Sequence, residues 1–404
     1  MWSNVIGQSR VKRILCNALE QEKLPGAYLF SGPEGTGKDA MAFELAKAVN
    51  CLVPGIGFRV SGIENAVEES SPETRNPKPE TRLKEACDEC ANCMAIASFA
   101  SPIVTFVHAL AKDIEPVGES AANQKEEDIE IVREQLAAKS ADPYHNIDIP
   151  RATTIQIGQI RNLRLLLSRT LGSGTKRVVI ISEADMMNAQ AQNAFLKTLE
   201  EPHANTLIIL TSSNTNRLYP TILSRCQDVR FDILSIEDIS SALVQREELP
   251  LAQADFLARL AAGSYSRARS MIGEDVQEMR SQIISFLRMG LSKSRRNAVQ
   301  QIDLFLPRSG GGSFLEKRQA VEQRLILLTL WLRDALALST KAEDEIINLD
   351  QKEDLTKFVT RFGEPYHIIA AMAAVDKAQH LTKLQVQLRP VMMQLVVELE
   401  EALV

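Results

Sequence analysis

A glycine-rich stretch close to the N-terminus, residues 31–39, reads Ser-Gly-Pro-Glu-Gly-Thr-Gly-Lys-Asp. It follows the short apolar run 27–30 and precedes a segment whose apolar residues recur at helical spacing. A strand, a glycine-rich loop and a helix in this order are typical of a P-loop. The glycines let the backbone wrap closely around a phosphate, and the helix N-terminus favours its negative charge. The sequence therefore predicts a phosphate-binding loop.

The candidate nucleotide-binding residues are the positions of this loop, which are Gly32, Pro33, Glu34, Gly35, Thr36, Gly37, Lys38 and Asp39. Lys38 is expected to reach the β- and γ-phosphates of ATP. The motif asks for serine or threonine after the lysine, to place a hydroxyl on Mg²⁺, and this chain has Asp39. An acidic side chain there adds repulsion toward the triphosphate. We therefore expect the loop to hold ATP but to handle Mg²⁺ poorly.

A second strand is predicted at 178–181, where four apolar β-forming residues run together. P-loop ATPases place Asp-Glu after such a strand, and the aspartate supports Mg²⁺. This chain has Ser182 and Glu183 instead. The carboxylate that supports the metal is missing, whereas Glu183 stays as a candidate base in a degenerate site. The alternative for Glu183 is a carboxylate at a strand end without chemistry.

The first half of the chain alternates strands with helices. Ile103 to Val107 reads as a strand, and the apolar run 207–210 reads as another that leads into the polar residues 211–214. This alternation predicts an α/β fold with a parallel sheet. Beyond residue 236 the apolar residues recur at helical spacing to the end of the chain.

Three of the six cysteines are clustered as Cys87-x-x-Cys90-x-x-Cys93, and Cys51 lies upstream. Four thiolates suit a tetrahedral structural Zn²⁺. Tight C-x-x-C spacing in a reducing compartment indicates metal rather than a disulfide. We predict a closed zinc site with Cys51 as the fourth ligand; the alternative is a set of free thiols.

Composition sets the remaining limits. The length of 404 residues predicts two to three domains. The net charge of −6 does not indicate a protein whose whole surface binds nucleic acid. The N-terminus lacks the pattern of a signal peptide, and the longest apolar run, 325–332, is too short to span a bilayer. A soluble cytoplasmic protein with no membrane partner is therefore expected. The polar stretches 52–86 and 113–150 are expected to be insertions without an assigned role, and 113–130 a solvated, mobile loop.

Several motifs together resemble those of the bacterial clamp-loader AAA+ subunits of DNA polymerase III. They are the P-loop, the four cysteines, the run Asn-Ala-Phe-Leu-Lys-Thr-Leu-Glu-Glu-Pro at 193–202, and Ser224-Arg225-Cys226. Within this family the delta-prime subunit is a stator and the gamma/tau subunits are the ATP-hydrolysing motor. Asp39, Ser182, and Ser266 immediately before Arg267 favour the delta-prime kind.

The resemblance implies a role for Arg225, which in this family is offered in trans to ATP on the neighbouring subunit as an arginine finger. It also implies a hetero-pentamer with gamma/tau and delta subunits that loads a sliding clamp on primer-template DNA. The chain itself is then expected to have weak or no ATPase activity. The alternatives are a working gamma/tau-like motor and a zinc-dependent nucleic-acid-binding module with a vestigial P-loop.

The resemblance and the helical patterns together predict three domains. The AAA+ P-loop domain spans 1–235 and contains the zinc-binding module at 51–93. A small helical lid domain follows at 236–275. An all-α collar domain, expected to mediate oligomerisation, occupies 276–404.

Overall fold

The structure is a computed structural model that describes residues 4–53, 85–111, 126–168, 175–202, 205–290, 314–343 and 346–403, with the isolated positions 2, 302, 305 and 306. The predicted insertion 52–86 lies almost entirely outside the described residues, as does the part of the second one before residue 126. The chain divides into two compact units, Met1–Ile233 and Leu234–Val404.

The first unit is built on a parallel sheet of five strands in the order β2-β3-β4-β1-β5. The strands are β1 (Ala27–Ser31), β2 (Val104–Val107), β3 (Arg177–Ile181), β4 (Thr206–Ser212) and β5 (Gln227–Arg230). Every residue of β1, β3 and β4 is buried. Strands covered on both faces have near-continuous apolar sequences, which is why their positions were readable from sequence. The predicted α/β fold with a parallel sheet is confirmed.

Helices cover both faces of this sheet. They are α1 (Ser9–Glu20), α2 (Lys38–Asn50), α3 (Ala91–Ala97), α4 (Glu126–Ala141), α5 (Ile157–Leu167), α6 (Ala189–Glu200) and α7 (Pro220–Leu223). Ile160 of α5 and Phe195 of α6 are fully buried in one core cluster with residues of β3 and β4. α2 follows β1 directly, so the loop between them lies at the carboxyl end of the sheet, where α/β proteins bind ligands.

Helix α4 corrects one expectation, because 113–130 was predicted to be a loop and its last residues, 126–130, are helical. Within α4, Lys139 is the buried side chain among the described positions. The following segment is tied back to the helix, since the Gln135 amide oxygen accepts a hydrogen bond from the Asp148 backbone N–H at 3.0 Å. Arg151 donates to Asp128 at 2.8 Å. This helix is held by polar contacts rather than by an apolar stripe, so hydrophobic periodicity gave no signal for it.

The second unit is helical throughout its described part. Its helices include Ile236–Glu247, Leu251–Leu260, Tyr265–Ser270, Val276–Gly290, Phe314–Ser339, Lys352–Phe362, Pro365–Lys383 and Leu388–Leu403. The buried Arg280 guanidinium donates to Asn348 at 2.8 Å and to Asp350 at 2.6 Å. Its division into lid and collar domains stays a prediction. Among the described residues, no helix combines the length and apolar character needed to cross a membrane.

Candidate functional site

The glycine-rich loop connects β1 to α2 as the sequence predicted. Gly32 and Gly37 have φ angles of 145° and 91°, in the region that favours glycine. A Cβ atom at Gly32 would lie 2.4 Å from the carbonyl oxygen of Phe231, so a larger residue does not fit there. Gly37 forms the N-cap of α2. The structure therefore places the loop residues together at the N-terminus of α2.

The Lys38 ammonium forms hydrogen bonds with the backbone of the glycine-rich loop. Its Nζ donates to the carbonyl oxygens of Gly32 at 2.8 Å and Pro33 at 2.6 Å, and to the Ser213 hydroxyl at 3.1 Å. These partners match the three donors of an ammonium group. Burial lowers the pKa of Lys38. Ser213 belongs to the polar run that follows β4, so the sheet edge and the loop meet at this lysine.

Asp39 points toward the ends of β3 and β4. Its carboxylate accepts hydrogen bonds from the Ser182 hydroxyl and from the Thr211 hydroxyl, each at 2.8 Å. The ammonium of Lys139, from α4, lies 2.9 Å from Asp39 Oδ2; the two side chains are 4% and 19% exposed. Burial alone raises the pKa of Asp39, but the Lys139 charge and the two hydroxyls hold this pKa below its ordinary value.

The two residues that depart from the P-loop pattern, Asp39 and Ser182, are in direct contact with each other. A P-loop site with Mg²⁺ carries a hydroxyl after the lysine and a carboxylate at the end of the neighbouring strand. Here the carboxylate of Asp39 and the hydroxyl of Ser182 have exchanged places and bond to each other. The sequence assigned both departures to the same metal ion but gave no sign of their contact or of Lys139, a single lysine about a hundred residues away with no motif around it.

Glu183 lies in the turn after β3, is exposed, and has a left-handed backbone conformation with φ 49°. Its backbone N–H donates to the Thr211 hydroxyl at 3.1 Å. A non-glycine residue in this region costs on the order of 1 kcal/mol and is often found at functional sites. Its place at the carboxyl end of the sheet fits the predicted base candidate, which stays a prediction.

Arg225 lies two residues after the end of α7. Its guanidinium donates to the carbonyl oxygen of Thr221 at 3.0 Å and to the Glu200 carboxylate at 2.9 Å. The Arg225 side chain is 36% exposed. Glu200 ends α6 within the Leu-Glu-Glu-Pro run, so the ion pair connects two of the motifs that carried the family resemblance. The sequence signal for Glu200 was this motif, but its contact with Arg225 was missed.

The four clustered cysteines meet in space. Their Sγ atoms all lie within 4.8 Å of one another, and Cys51 is among them. A tetrahedral Zn²⁺ with Zn–S bonds of about 2.3 Å requires sulfur atoms roughly 4 Å apart, and Cys87 Sγ and Cys93 Sγ are 4.0 Å apart. The backbone N–H of Cys90 donates to Cys87 Sγ at 3.2 Å, which stabilises a thiolate. These residues fit a closed four-thiolate zinc site.

The zinc-site loop is fixed to α2. The ammonium of the buried Lys47 contacts Asp88, which lies between two of the cysteines, and Glu44 at 2.6 Å. Cys51 caps the C-terminus of α2 and Cys90 caps the N-terminus of α3. Two helix ends therefore position the thiols, whatever the length of chain between Cys51 and Cys87.

The parallel sheet with a glycine-rich loop between β1 and α2 defines a P-loop fold. The chain belongs to the DNA polymerase III delta subunit family, whose family model matches residues 7–62 and 74–235. It is 26% identical over 399 residues to DNA polymerase III subunit delta' of Bacillus subtilis, covering 98% of this chain and 96% of that protein. It is 28% identical over 280 residues to the tau subunit of the same organism, covering 68% of this chain but 38% of that protein.

A solved structure of RuvB from Thermotoga maritima is similar over 76% of this chain and 73% of that one, with 13% identity and a TM-score of 0.35. The family match and the full-length similarity to delta' instead confirm the resemblance found in the sequence, to a clamp-loader AAA+ subunit most like delta-prime. The chain therefore has a delta-prime-like role in DNA replication.

Proposed function

We propose that the chain is a clamp-loader subunit that does not hydrolyse ATP and acts as a stator in the complex. The observation that carries this proposal is the pairing of Asp39 with Lys139 at 2.9 Å. The carboxylate that replaces the metal-binding hydroxyl is neutralised by a lysine of the same chain and bonded to both neighbouring strands. Without Mg²⁺ at this place, the charge that develops during phosphoryl transfer has no metal to stabilise it.

The purified chain is expected to show no ATP turnover above background in the presence of Mg²⁺, with or without primed DNA. Steady-state phosphate release is the measurement. Clear turnover that disappears in Lys38→Ala but persists in Lys23→Ala, an exposed lysine, would contradict the proposal and favour the gamma/tau-like motor.

Assembly with other subunits is the second part of the proposal. Relatives of this chain are subunits of DNA polymerase III, including tau and delta'. Four apolar side chains on two C-terminal helices are exposed, which supports packing against neighbouring subunits: Tyr366, Ile369, Met393 and Val397. We place the chain in a cytoplasmic hetero-pentamer with gamma/tau and delta subunits, which opens a sliding clamp and sets it on primer-template DNA.

Arg225 supplies the chemical contribution of this subunit in the proposal. Its guanidinium is partly exposed and is held by Glu200 and by a backbone carbonyl rather than by a buried network. Such a group is free to exchange these partners for the phosphate oxygens of ATP on a neighbouring subunit, which a planar guanidinium binds well. Glu183 is assigned no part in this mechanism, because the Asp39 carboxylate of the same site is already paired with the Lys139 ammonium.

One Zn²⁺ per chain, held by the four cysteines, completes the proposal. The site would be structural, since four protein ligands leave no open coordination position. We expect metal analysis of protein purified without chelators to give about one zinc per chain, and Cys93→Ser to lose it with a lower Tm. Cys16→Ala, which alters a buried thiol outside the cluster, is the control and keeps its zinc. A metal-free wild type would end the zinc assignment.

A further inference from the structure

The segment that follows α4 crosses the glycine-rich loop. Tyr144 is 3% exposed, and a Cβ atom at Gly37 would lie 2.5 Å from its hydroxyl oxygen. The same hydroxyl accepts a hydrogen bond from the backbone N–H of Ile6 at 2.8 Å. The phenol therefore lies between Ile6 of the N-terminal segment and the start of α2, in contact with the residue that caps this helix.

Two further side chains of this region reach the loop. Asn146 donates its amide to the Glu34 carboxylate at 2.8 Å. Lys139 lies 2.9 Å from Asp39 and donates to the carbonyl oxygen of His145 at 2.8 Å. Residues of 126–149, which we call the cover segment, thus contact the loop at Glu34, Gly37 and Asp39.

The cover segment has its own internal framework. The Asp142 carboxylate accepts from the Tyr144 backbone N–H at 3.0 Å, which fixes the turn after α4. Gln135 accepts from Asp148, and its amide oxygen also lies 3.0 Å from His145 Nε2. These bonds hold Lys139, Tyr144 and Asn146 in place on one side of the loop, so their contacts with it are a pre-organised set rather than three separate surface contacts.

We infer that the cover segment is a built-in occupant of the nucleotide site and excludes Mg²⁺–ATP from it. The Lys139 ammonium takes the position of the divalent cation beside the exchanged pair Asp39 and Ser182. The Tyr144 ring takes the position against the helix cap where a bound nucleotide would contact the loop. The Lys38 ammonium completes the closed state, because its hydrogen bonds go to two loop carbonyls and to the Ser213 hydroxyl. The inference deepens the proposed stator role and gives the insertion a function.

The inference also explains how a chain can keep a P-loop without using it for phosphate. The loop glycines are still required, because Gly32 packs against the Phe231 carbonyl and Gly37 against the Tyr144 hydroxyl. The positive charge that a bound Mg²⁺ would bring to the Asp39 carboxylate is supplied internally by Lys139. In this view the loop has become a docking surface for the chain's own residues.

The test compares ATP binding by the wild type with that of the double variant Lys139→Met/Tyr144→Ala, using radiolabelled ATP in equilibrium dialysis with and without Mg²⁺. We expect no saturable binding by the wild type up to 1 mM ATP, taken as roughly the weak-binding limit. The double variant should bind at least about tenfold more tightly, and only with Mg²⁺. Arg133→Met, which removes an exposed cation of α4, is the control and should behave as the wild type.

Hydrogen exchange of the wild type is a second measurement, and it requires no variant. Adding Mg²⁺–ATP should leave the protection of residues 139–149 unchanged. Faster exchange there together with slower exchange at 32–39 would show nucleotide displacing the cover segment and would overturn the inference, as would a folded double variant that binds no ATP. Binding by the wild type without turnover overturns the inference alone, whereas turnover also removes the proposed function.

Discussion

Arg225→Ala is expected to leave the isolated chain folded and to slow ATP turnover by the assembled clamp loader. An arginine finger is worth about 10³-fold or more in other nucleotide-hydrolysing proteins. Since a complex holds more than one ATP site and only one neighbours this subunit, we expect turnover at that site to fall by about 10³-fold and the total rate to fall by the share of that site. The fold should not suffer, because the ion pair of Arg225 with Glu200 is a partly exposed one, worth roughly 0–1 kcal/mol.

The measurement is steady-state turnover of the reconstituted complex with clamp and primed DNA, beside a thermal melt of the variant chain alone. Arg13→Ala, which removes an exposed arginine of α1, is the matched control and should leave turnover unchanged. Arg225→Lys separates charge from geometry, because lysine keeps the positive charge but lacks the planar fork of donors. Unchanged turnover in Arg225→Ala would remove the trans role and leave Arg225 as a surface partner of Glu200.

The strands show where sequence is sufficient for the fold. β1, β3 and β4 were predictable because both faces of each strand are buried, which makes their sequences apolar without interruption. β5 was not predicted, because it is an edge strand in which Val229 is the buried residue and its neighbours are exposed. An edge strand of this kind is specified by its pairing with β1, and such long-range pairing leaves no local periodicity.

The functional site likewise contains some residues that the sequence predicts and others that it does not. Local motifs predicted the glycine-rich loop and the cysteine cluster, and the cysteine geometry fits the expected ligand set including Cys51. Lys139 and Tyr144 were missed because their contacts with the glycine-rich loop join residues a hundred or more positions apart in the chain. A single buried lysine follows no pattern that a sequence reading can detect, although it decides what the Asp39 carboxylate can bind.

Lys139→Met is expected to lower the free energy of unfolding by about 3 kcal/mol, the lower end of the cost of breaking a buried ion pair. Methionine keeps the apolar stem of the side chain, so the loss arises from the carboxylate that remains without its cation. We use the lower end of that range because the Asp39 side chain is 19% exposed, so water offsets part of the loss of its cation. Urea denaturation at neutral pH measures the change, and Arg133→Met on the same helix should shift the free energy by less than about 0.5 kcal/mol.

The dependence on pH follows from the pKa of Asp39, which is held below its ordinary value of about 3.9. A depressed carboxyl pKa contributes stability that is complete above the unfolded-state pKa and is lost as pH falls through the folded-state pKa. The deficit of Lys139→Met should therefore be full at neutral pH. It should shrink as pH falls, because protonation of Asp39 removes the unpaired charge in the variant, and the loss of the Lys139 charge places that protonation at a higher pH than in the wild type.

The double variant Asp39→Asn/Lys139→Met decides what Lys139 acts on. If the cost arises from an uncompensated carboxylate, removing that charge should restore about 1–3 kcal/mol relative to Lys139→Met alone. Asparagine keeps an oxygen for one of the Ser182 and Thr211 hydroxyls, so little else is disturbed. Equal instability of the single and double variants would instead mean that Lys139 stabilises the fold through its hydrogen bond to the His145 carbonyl. In that case its ammonium would be a clamp on the turn after α4 rather than the counter-charge of Asp39.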